Sequence, residues 1–116
     1  MFDVQTSCEP IQRLLYSVGV IRLVRFLVRA QISTDPGNKM VKNPKFLQNL
    51  EDYMKKVNAE AAYFFEAGGE RTFAFIVNMD TADMMPSLAE PLFQDLGAKV
   101  EFHPVMVLDD LKKALG

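Results

Sequence analysis

Apolar residues along the chain follow two different spacings, and these divide residues 21–115 into strands and helices. From Ile21 to Ser33 apolar side chains fall on every second position, which predicts a strand with one dry face and one polar-lined face. From Phe46 to Val57 they recur at every third or fourth position, which predicts an amphipathic helix opened by Asn43-Pro44. The Thr34–Asn38 stretch between them is typical of a turn.

A hairpin is predicted in the middle of the chain. Residues 61–66 form its first strand, and the glycine-containing segment 67–70 forms its turn, because glycine readily adopts positive φ. Residues 71–79 form its second strand. That strand holds the run Phe75-Ile76-Val77, and such a continuous apolar run indicates burial on both faces.

A second helix and a fourth strand complete the predicted sheet. Thr81 or Asp83 caps the helix, and Gly97 suits its left-handed stop. Pro91 lies inside this helix and is expected to kink or split it at residues 87–91. Residues 98–106 then alternate as a strand, and Pro104 places that strand at an edge or a bulge. A short helix over 108–115 ends the chain.

This order, β-α-β-β-α-β with short connections, predicts an α+β ferredoxin-like fold. Two right-handed crossovers place both helices on one face of a four-stranded antiparallel sheet in the order 4-1-3-2. We assign residues 21–116 to this domain and residues 1–20 to an N-terminal extension. Within the extension, apolar spacing over 11–18 allows a short amphipathic helix, and an appendage that packs poorly is an equal alternative.

The sheet is predicted to have more apolar surface than its own helices can cover. The strand over 71–79 is apolar on both faces, whereas the helices cover only one. A second copy of the chain is the simplest cover for the other face, so we expect a homodimer.

Composition narrows the classes of partner. The chain has 116 residues and a net charge of −2, without a basic face for nucleic acid. Its single cysteine fits a reducing compartment, and one cysteine and one histidine form no metal-binding pattern, so no metal or cofactor is expected. No run approaches the ~18 apolar residues of a membrane span. These features predict a cytoplasmic protein that binds neither membrane nor nucleic acid.

Strand alternation predicts a polar cluster on the face without helices. If Phe102 faces the helices, then Glu101 and His103 face away, and the same parity applies to Arg25 and Arg29 in the neighbouring strand. Tyr63 would join them across the sheet. In a functional interpretation, His103 is a general base oriented by Glu101, and Arg25, Arg29 and Tyr63 bind a small anionic molecule. In a structural interpretation, the same groups form cross-strand ion pairs at a dimer interface.

Four segments carry a resemblance to a known family: Tyr63-Phe64, residues 69–72, residues 89–93 and the run Glu101-Phe-His-Pro-Val-Met106 followed by Asp109-Asp110-Leu111. Over residues 24–113 the chain resembles a family of small uncharacterised bacterial proteins similar to the dimeric α/β-barrel superfamily. That resemblance implies two ferredoxin-like protomers whose sheets face each other in a barrel. The superfamily includes cofactor-free monooxygenases, lactone isomerases and haem-degrading enzymes, but the motif of none of these occurs here.

Two functions follow as hypotheses. The first is a homodimeric α/β-barrel protein with a structural or small-ligand-binding role. The alternative is a cofactor-free monooxygenase or isomerase acting on a small anionic or aromatic molecule. A cavity at Arg25, Arg29 and His103 would favour the enzyme, and a sheet face filled by its own side chains would favour the first hypothesis.

Overall fold

The computed structural model describes residues 24–116. The extension over 1–20 and its possible helix lie outside the described residues. The elements in chain order are β1 (Val24–Ile32), α1 (Thr34–Val41), α2 (Phe46–Lys56), β2 (Ala61–Ala67), β3 (Glu70–Met79), α3 (Met84–Leu96), β4 (Lys99–Pro104) and α4 (Leu108–Leu115).

The four strands form one antiparallel sheet in the order β2-β3-β1-β4. This is the predicted order 4-1-3-2 counted from the opposite edge. Strand β1 pairs with β3 on one side and β4 on the other, so Arg29 lies between Ala74 and Glu101. The chain is therefore an α+β protein with the ferredoxin-like arrangement of strands.

The hydrophobic core lies between the sheet and helices on one of its faces. Val28 and Phe75 are fully buried there, and Leu88 and Leu92 of α3 pack against them. The Tyr53 ring of α2 meets the Phe75 ring edge to face at 5.7 Å. The burial of alternate strand residues confirms the predicted dry face of β1.

Helix α1 corrects one expectation, because the Thr34–Asn38 turn is the beginning of a helix that continues to Val41. The amide of Gly37 donates to the Ser33 carbonyl at 2.9 Å. Asp35 and Pro36 are tolerated in a first helical turn as well as in a β-turn, because its amides lack intrahelical partners. Met40 packs against the core and gives the helix a tertiary contact.

The next helix begins later than predicted. Helix α2 starts at Phe46, whereas Asn43-Pro44 precedes it in a turn. The Asn43 side chain still accepts a hydrogen bond, from the Lys45 amide at 2.9 Å. Asparagine therefore stabilises a local turn just before the helix, a role that competes with N-capping.

Helix α3 runs without interruption through Pro91, so of the two expected outcomes the split at residues 87–91 is wrong, whereas the kink stays a prediction. Leu88 and Ala89 before the proline and Leu92 after it are all buried, so the helix packs against the core on both sides of Pro91. The helix ends as expected, with Gly97 in the left-handed conformation at φ 59°.

Strand β4 is an edge strand, as Pro104 predicts, but it is shorter than residues 98–106. Its last pair is Pro104 with Phe26, after which the Val105 amide donates to the Arg25 carbonyl at 2.9 Å. Helix α4 follows, and all its residues are exposed in the described chain. No helix within residues 24–116 has the length and apolar character needed to cross a membrane.

Candidate functional site

The sheet face opposite the core carries polar and apolar residues in cross-strand rows. One row runs Tyr63, Ala74, Arg29, Glu101 from β2 to β4. The next runs Ala61, Ile76, Leu27, His103, because these residues share the same register pairs. We call this surface the open face. The described helices pack against the opposite face of the sheet. The buried core residues of β1 and β3 alternate with the residues of the open face and therefore point to the helices.

Glu101 is the centre of the polar cluster on the open face. One of its oxygens, Oε1, lies 2.9 Å from His103 Nε2 and 3.7 Å from Arg29 Nη1. The hydrogen bond with His103 lowers the pKa of the Glu101 carboxyl, and the charges of Arg29, His103 and Lys99 act in the same direction. The carboxylate therefore stays ionised and orients the imidazole beside a guanidinium.

Arg29 keeps hydrogen-bonding capacity in this arrangement. Its Nε is buried and has no hydrogen-bond partner among residues 24–116. Its Nη1 contact with Glu101 is an ion pair at 3.7 Å, which is too long for a hydrogen bond. The side chain remains 32% exposed, so part of the guanidinium faces outward from the sheet.

Arg25 lies on the same face but belongs to a different cluster. Its Nε donates to Glu60 Oε1 at 3.1 Å, and Asn78 Nδ2 donates to Glu60 Oε2 at 2.8 Å. The Asn78 hydrogen bond, supported by Arg25, lowers the pKa of Glu60. Glu60 could not be identified from strand alternation, because it precedes β2 and alternation assigns no direction to a residue outside a strand.

Tyr63 shares the row of Arg29 and Glu101 but does not approach them closely. The small side chain of Ala74, in β3, lies between them in the register. Tyr63 is 66% exposed. The structure therefore brings together Arg29, Glu101 and His103, and it leaves Arg25 and Tyr63 at the margins of the open face.

Two grooves described in the chain lie away from this cluster. One, of 670 Å³, runs between the helices and is lined by residues such as Met40, Tyr53 and Leu96. The other, of 300 Å³, lies beside β2 and is lined by residues such as Leu47, Phe64 and Phe65. Among residues 24–116, no three His, Cys, Asp or Glu residues are grouped to hold a metal ion.

Comparison with known proteins does not assign the chain to a family. No family model matches the chain, and no curated protein matches it. Among solved structures, the chain is similar to the Mycobacterium tuberculosis leucine response regulatory protein (LrpA), with 13% sequence identity and a TM-score of 0.43. That match covers 92% of this chain and 60% of the regulator, so the chain spans less than two thirds of the regulator's length. The strand order and pairing described above, rather than this likeness, identify the chain as an α+β protein of ferredoxin-like arrangement.

Proposed function

We propose that the chain is a homodimeric α/β-barrel protein whose two open faces pack together around a site for a small anionic molecule. In this proposal Arg29 binds the anion, and Glu101 and His103 position it and complete the polar wall. The observation that carries the proposal is the buried, unpartnered Nε of Arg29 beside an ion-paired carboxylate on an uncovered sheet.

The apolar part of the open face supports dimerisation. Leu27 and Ile76 occupy the middle of the face and are half-buried, while Tyr63 and Phe65 are 66% and 45% exposed. Aromatic residues of this kind are enriched at protein interfaces, and two stacked sheets lie about 10 Å apart. A second open face would bury these side chains and enclose the polar cluster at the same time.

The chemistry of Arg29 supports an anionic ligand. A guanidinium presents several N–H donors in a planar fork that suits a carboxylate or phosphate. Glu101 already accepts from His103, which leaves Arg29 donors to be satisfied by another acceptor. Enclosure between two sheets would strengthen such a contact, because water would no longer compete for it.

The oxygenase or isomerase alternative gains no support from the geometry. His103 is 55% exposed at an edge strand, and both grooves described above are lined by other residues. We therefore keep the ligand-binding role as the proposal.

Dimerisation is tested by light scattering of the full chain at micromolar concentration. We expect the wild type to have twice the monomer mass, and Tyr63→Lys to shift it toward the monomer, because a lysine would be buried between the sheets. Phe93→Lys is the control, since it places lysine at an exposed aromatic residue on α3 (43% exposed, against 66% for Tyr63). A monomeric wild type, or equal effects of both substitutions, would refute the dimer.

Ligand binding is tested by calorimetry with benzoate, malonate and inorganic phosphate. We expect at least one of these to bind the wild type and to lose most of its affinity in Arg29→Gln and His103→Gln. Arg25→Gln is the control, because its guanidinium is already paired with Glu60 and should leave binding nearly unchanged. Equal losses in Arg25→Gln and Arg29→Gln would contradict the assignment to Arg29.

A further inference from the structure

Strand β2 forms one edge of the sheet and lacks the features that usually prevent an edge from pairing. Among the described strands it pairs with β3 alone, so the N–H and C=O groups of its other edge have no strand partner within residues 24–116. Edge strands are commonly short or interrupted by proline or lysine, and Ala61–Ala67 contains neither residue. The opposite edge, β4, is six residues long, begins with Lys99 and ends at Pro104. The two edges therefore differ, and only β2 is suited to accept another strand.

Three consecutive aromatic residues are exposed at the centre of β2. Tyr63, Phe64 and Phe65 are 66%, 61% and 45% exposed. Strand alternation places Tyr63 and Phe65 on the open face and Phe64 on the helix-covered face, where its ring centroid lies 5.6 Å from that of Phe73. A partner on the open face alone would leave Phe64 exposed. A strand added to the edge would cover apolar surface on both faces.

The hairpin determines which residues of β2 direct their main-chain groups away from the sheet. Residues 68–69 form a two-residue turn with positive φ, so the flanking Ala67–Glu70 pair is hydrogen-bonded, and hydrogen-bonded pairs alternate along the strands from there. Phe64, three positions from Ala67, is therefore in a non-hydrogen-bonded pair with Phe73. Its N–H and C=O point outward, as do those of the residues two positions to either side.

A second copy of the same strand fits this edge. An antiparallel pair about a two-fold axis through Phe64, the middle residue of β2, would pair all seven residues and form about six main-chain hydrogen bonds. Phe64 would face its counterpart, and Tyr63 would face Phe65, which makes stabilising aromatic cross-strand pairs. Glu66, the charged residue of β2, would face Ala62, so no like charges are opposed.

This self-complementarity favours a second copy over an unrelated extended peptide, because a two-fold axis forms each contact twice. The axis is perpendicular to the sheet, so the helices of both copies lie on the same side. The 300 Å³ groove beside β2, lined by residues such as Leu47 and Phe64, would then adjoin the same groove of the second copy. The exposed apolar surface around these residues becomes continuous across the axis.

We propose that β2 pairs edge to edge with β2 of a second copy of the chain, which joins two four-stranded sheets into one continuous sheet. This interface goes beyond the open-face dimer, because it uses main-chain groups at the edge, which stacked faces leave free. One copy can therefore make both contacts, and open-face dimers would associate in pairs through β2. A strand edge is a smaller surface than a sheet face, so this association should require a higher protein concentration.

Cross-linking of a single cysteine tests the pairing. In a Cys8→Ser background, the full chain carrying Phe64→Cys is concentrated and treated with a short bis-maleimide. The two facing Cα atoms would be about 5.5 Å apart, so we expect a covalent dimer. Glu66→Cys is the matched control on the same face of the same strand, because its two copies would lie about 14 Å apart. Equal products from the two variants would overturn the proposal.

A mixture of two variants tests the register. Ala62 and Glu66 face each other in the proposed pair, so mixing Ala62→Cys with Glu66→Cys should give a covalent heterodimer. Each variant alone should give little product. A mixture that gives no more product than the separate variants would contradict pairing about Phe64.

The main-chain hydrogen bonds are tested by comparing Phe64→Pro with Phe64→Ala. Both changes remove the ring, but only proline removes the N–H, which points away from β3 and is not needed by the chain's own sheet. In sedimentation of concentrated protein, we expect the wild type to approach four times the monomer mass. Phe64→Pro should raise the dissociation constant of this association about tenfold or more relative to Phe64→Ala. Equal constants would show that the edge of β2 does not pair.

Leu27→Lys separates this inference from the proposed function. Leu27 lies on the open face in β1, two strands away from the edge of β2. We expect this change to weaken the open-face dimer and to leave the Phe64→Cys cross-link intact. A cross-link that disappears in Leu27→Lys would show that the edges meet only through the open faces, which overturns the independent pairing. A concentrated wild type that stays dimeric without the specific cross-link removes the edge pairing and leaves the open-face dimer standing.

Discussion

Tyr53 joins the helical layer together through its hydroxyl group. The side chain is half-buried against the core, and its hydroxyl donates to the Leu88 carbonyl at 2.6 Å, which connects α2 to α3. Burial raises the pKa of Tyr53 above its ordinary value of 10.0, so the hydroxyl keeps its proton and remains a donor. At this position one hydrogen bond links two helices through residues that are 35 positions apart in sequence.

We expect Tyr53→Phe to lower the free energy of unfolding by about 0.5–1.5 kcal/mol, because one partly buried hydrogen bond is lost while the ring packing remains. Urea unfolding followed by circular dichroism measures this change. Tyr63→Phe is the matched control: its hydroxyl is on an exposed side chain, and we expect no measurable effect. Equal stabilities of Tyr53→Phe and the wild type would show that water replaces the bond.

Glu101 leads to a prediction about pH. Its pKa in the folded state is below the ordinary 4.5, first because of the hydrogen bond with His103. A carboxyl with a lowered folded-state pKa stabilises the protein above its unfolded-state pKa, and this contribution is lost as the pH falls through the folded-state value. We therefore expect Glu101→Gln to be less stable than the wild type at pH 7, with the difference shrinking below about pH 4.5. A difference that stays constant in urea unfolding down to about pH 3 would contradict this.

The polar cluster on the open face shows how much of a site the alternation of residues along strands can predict. Parity within β1 and β4 places Arg29, Glu101 and His103 on one face, and the pairing of Arg29 with Glu101 follows once the two strands are neighbours. The pairing of Arg25 with Glu60 could not be predicted, because it depends on how the chain turns before β2. Whether these groups bind a ligand stays a prediction.

Among the elements, α3 shows how packing overrides a local preference. Pro91 cannot donate to the Ser87 carbonyl, and an interior proline costs a helix about 3 kcal/mol relative to alanine. The helix nevertheless continues, because Leu88 and Leu92 are buried on either side of the proline. The burial of these residues offsets the lost hydrogen bond.

We expect Pro91→Ala to raise the free energy of unfolding by about 1–3 kcal/mol, because the substitution restores a helical amide without disturbing the buried stripe. Pro86→Ala is the matched control, since Pro86 lies in the first turn of α3, where the amide has no intrahelical partner. That change should stay within about 0.5 kcal/mol. Chemical denaturation of both variants compares them, and a Pro91→Ala effect no larger than the control would show that the helix has already relaxed around the proline.

In the molecule as a whole, the four described strands of the sheet lie within residues 24–104. Its central strands β1 and β3 contribute most of the buried core, and α1, α2 and α3 cover one side. The other side exposes the apolar residues on which the proposed open-face dimer depends.

We expect the chain lacking residues 1–19 to fold and to dimerise, because the four strands and the core-covering helices described within residues 24–116 all follow this segment. Thermal denaturation and light scattering of the truncated chain test the prediction, with the full chain as reference. An insoluble product, or a large fall in melting temperature, would show that residues 1–19 contribute to the core.

Local sequence patterns are sufficient to predict the four strands, their order in the sheet and the edge position of β4. These predictions rest on local properties that allow few alternative conformations. They are the burial of every second residue, two glycines in a hairpin turn, and a proline that cannot donate a hydrogen bond to a neighbouring strand. Tertiary contacts were needed to establish the helix at Thr34–Val41, the continuity of α3 through Pro91 and the separation of Arg25 from Arg29. In each of these places the local signals are compatible with two conformations. The choice depends on contacts with residues that are distant in sequence, and these contacts exist only once the sheet and its helices have packed together.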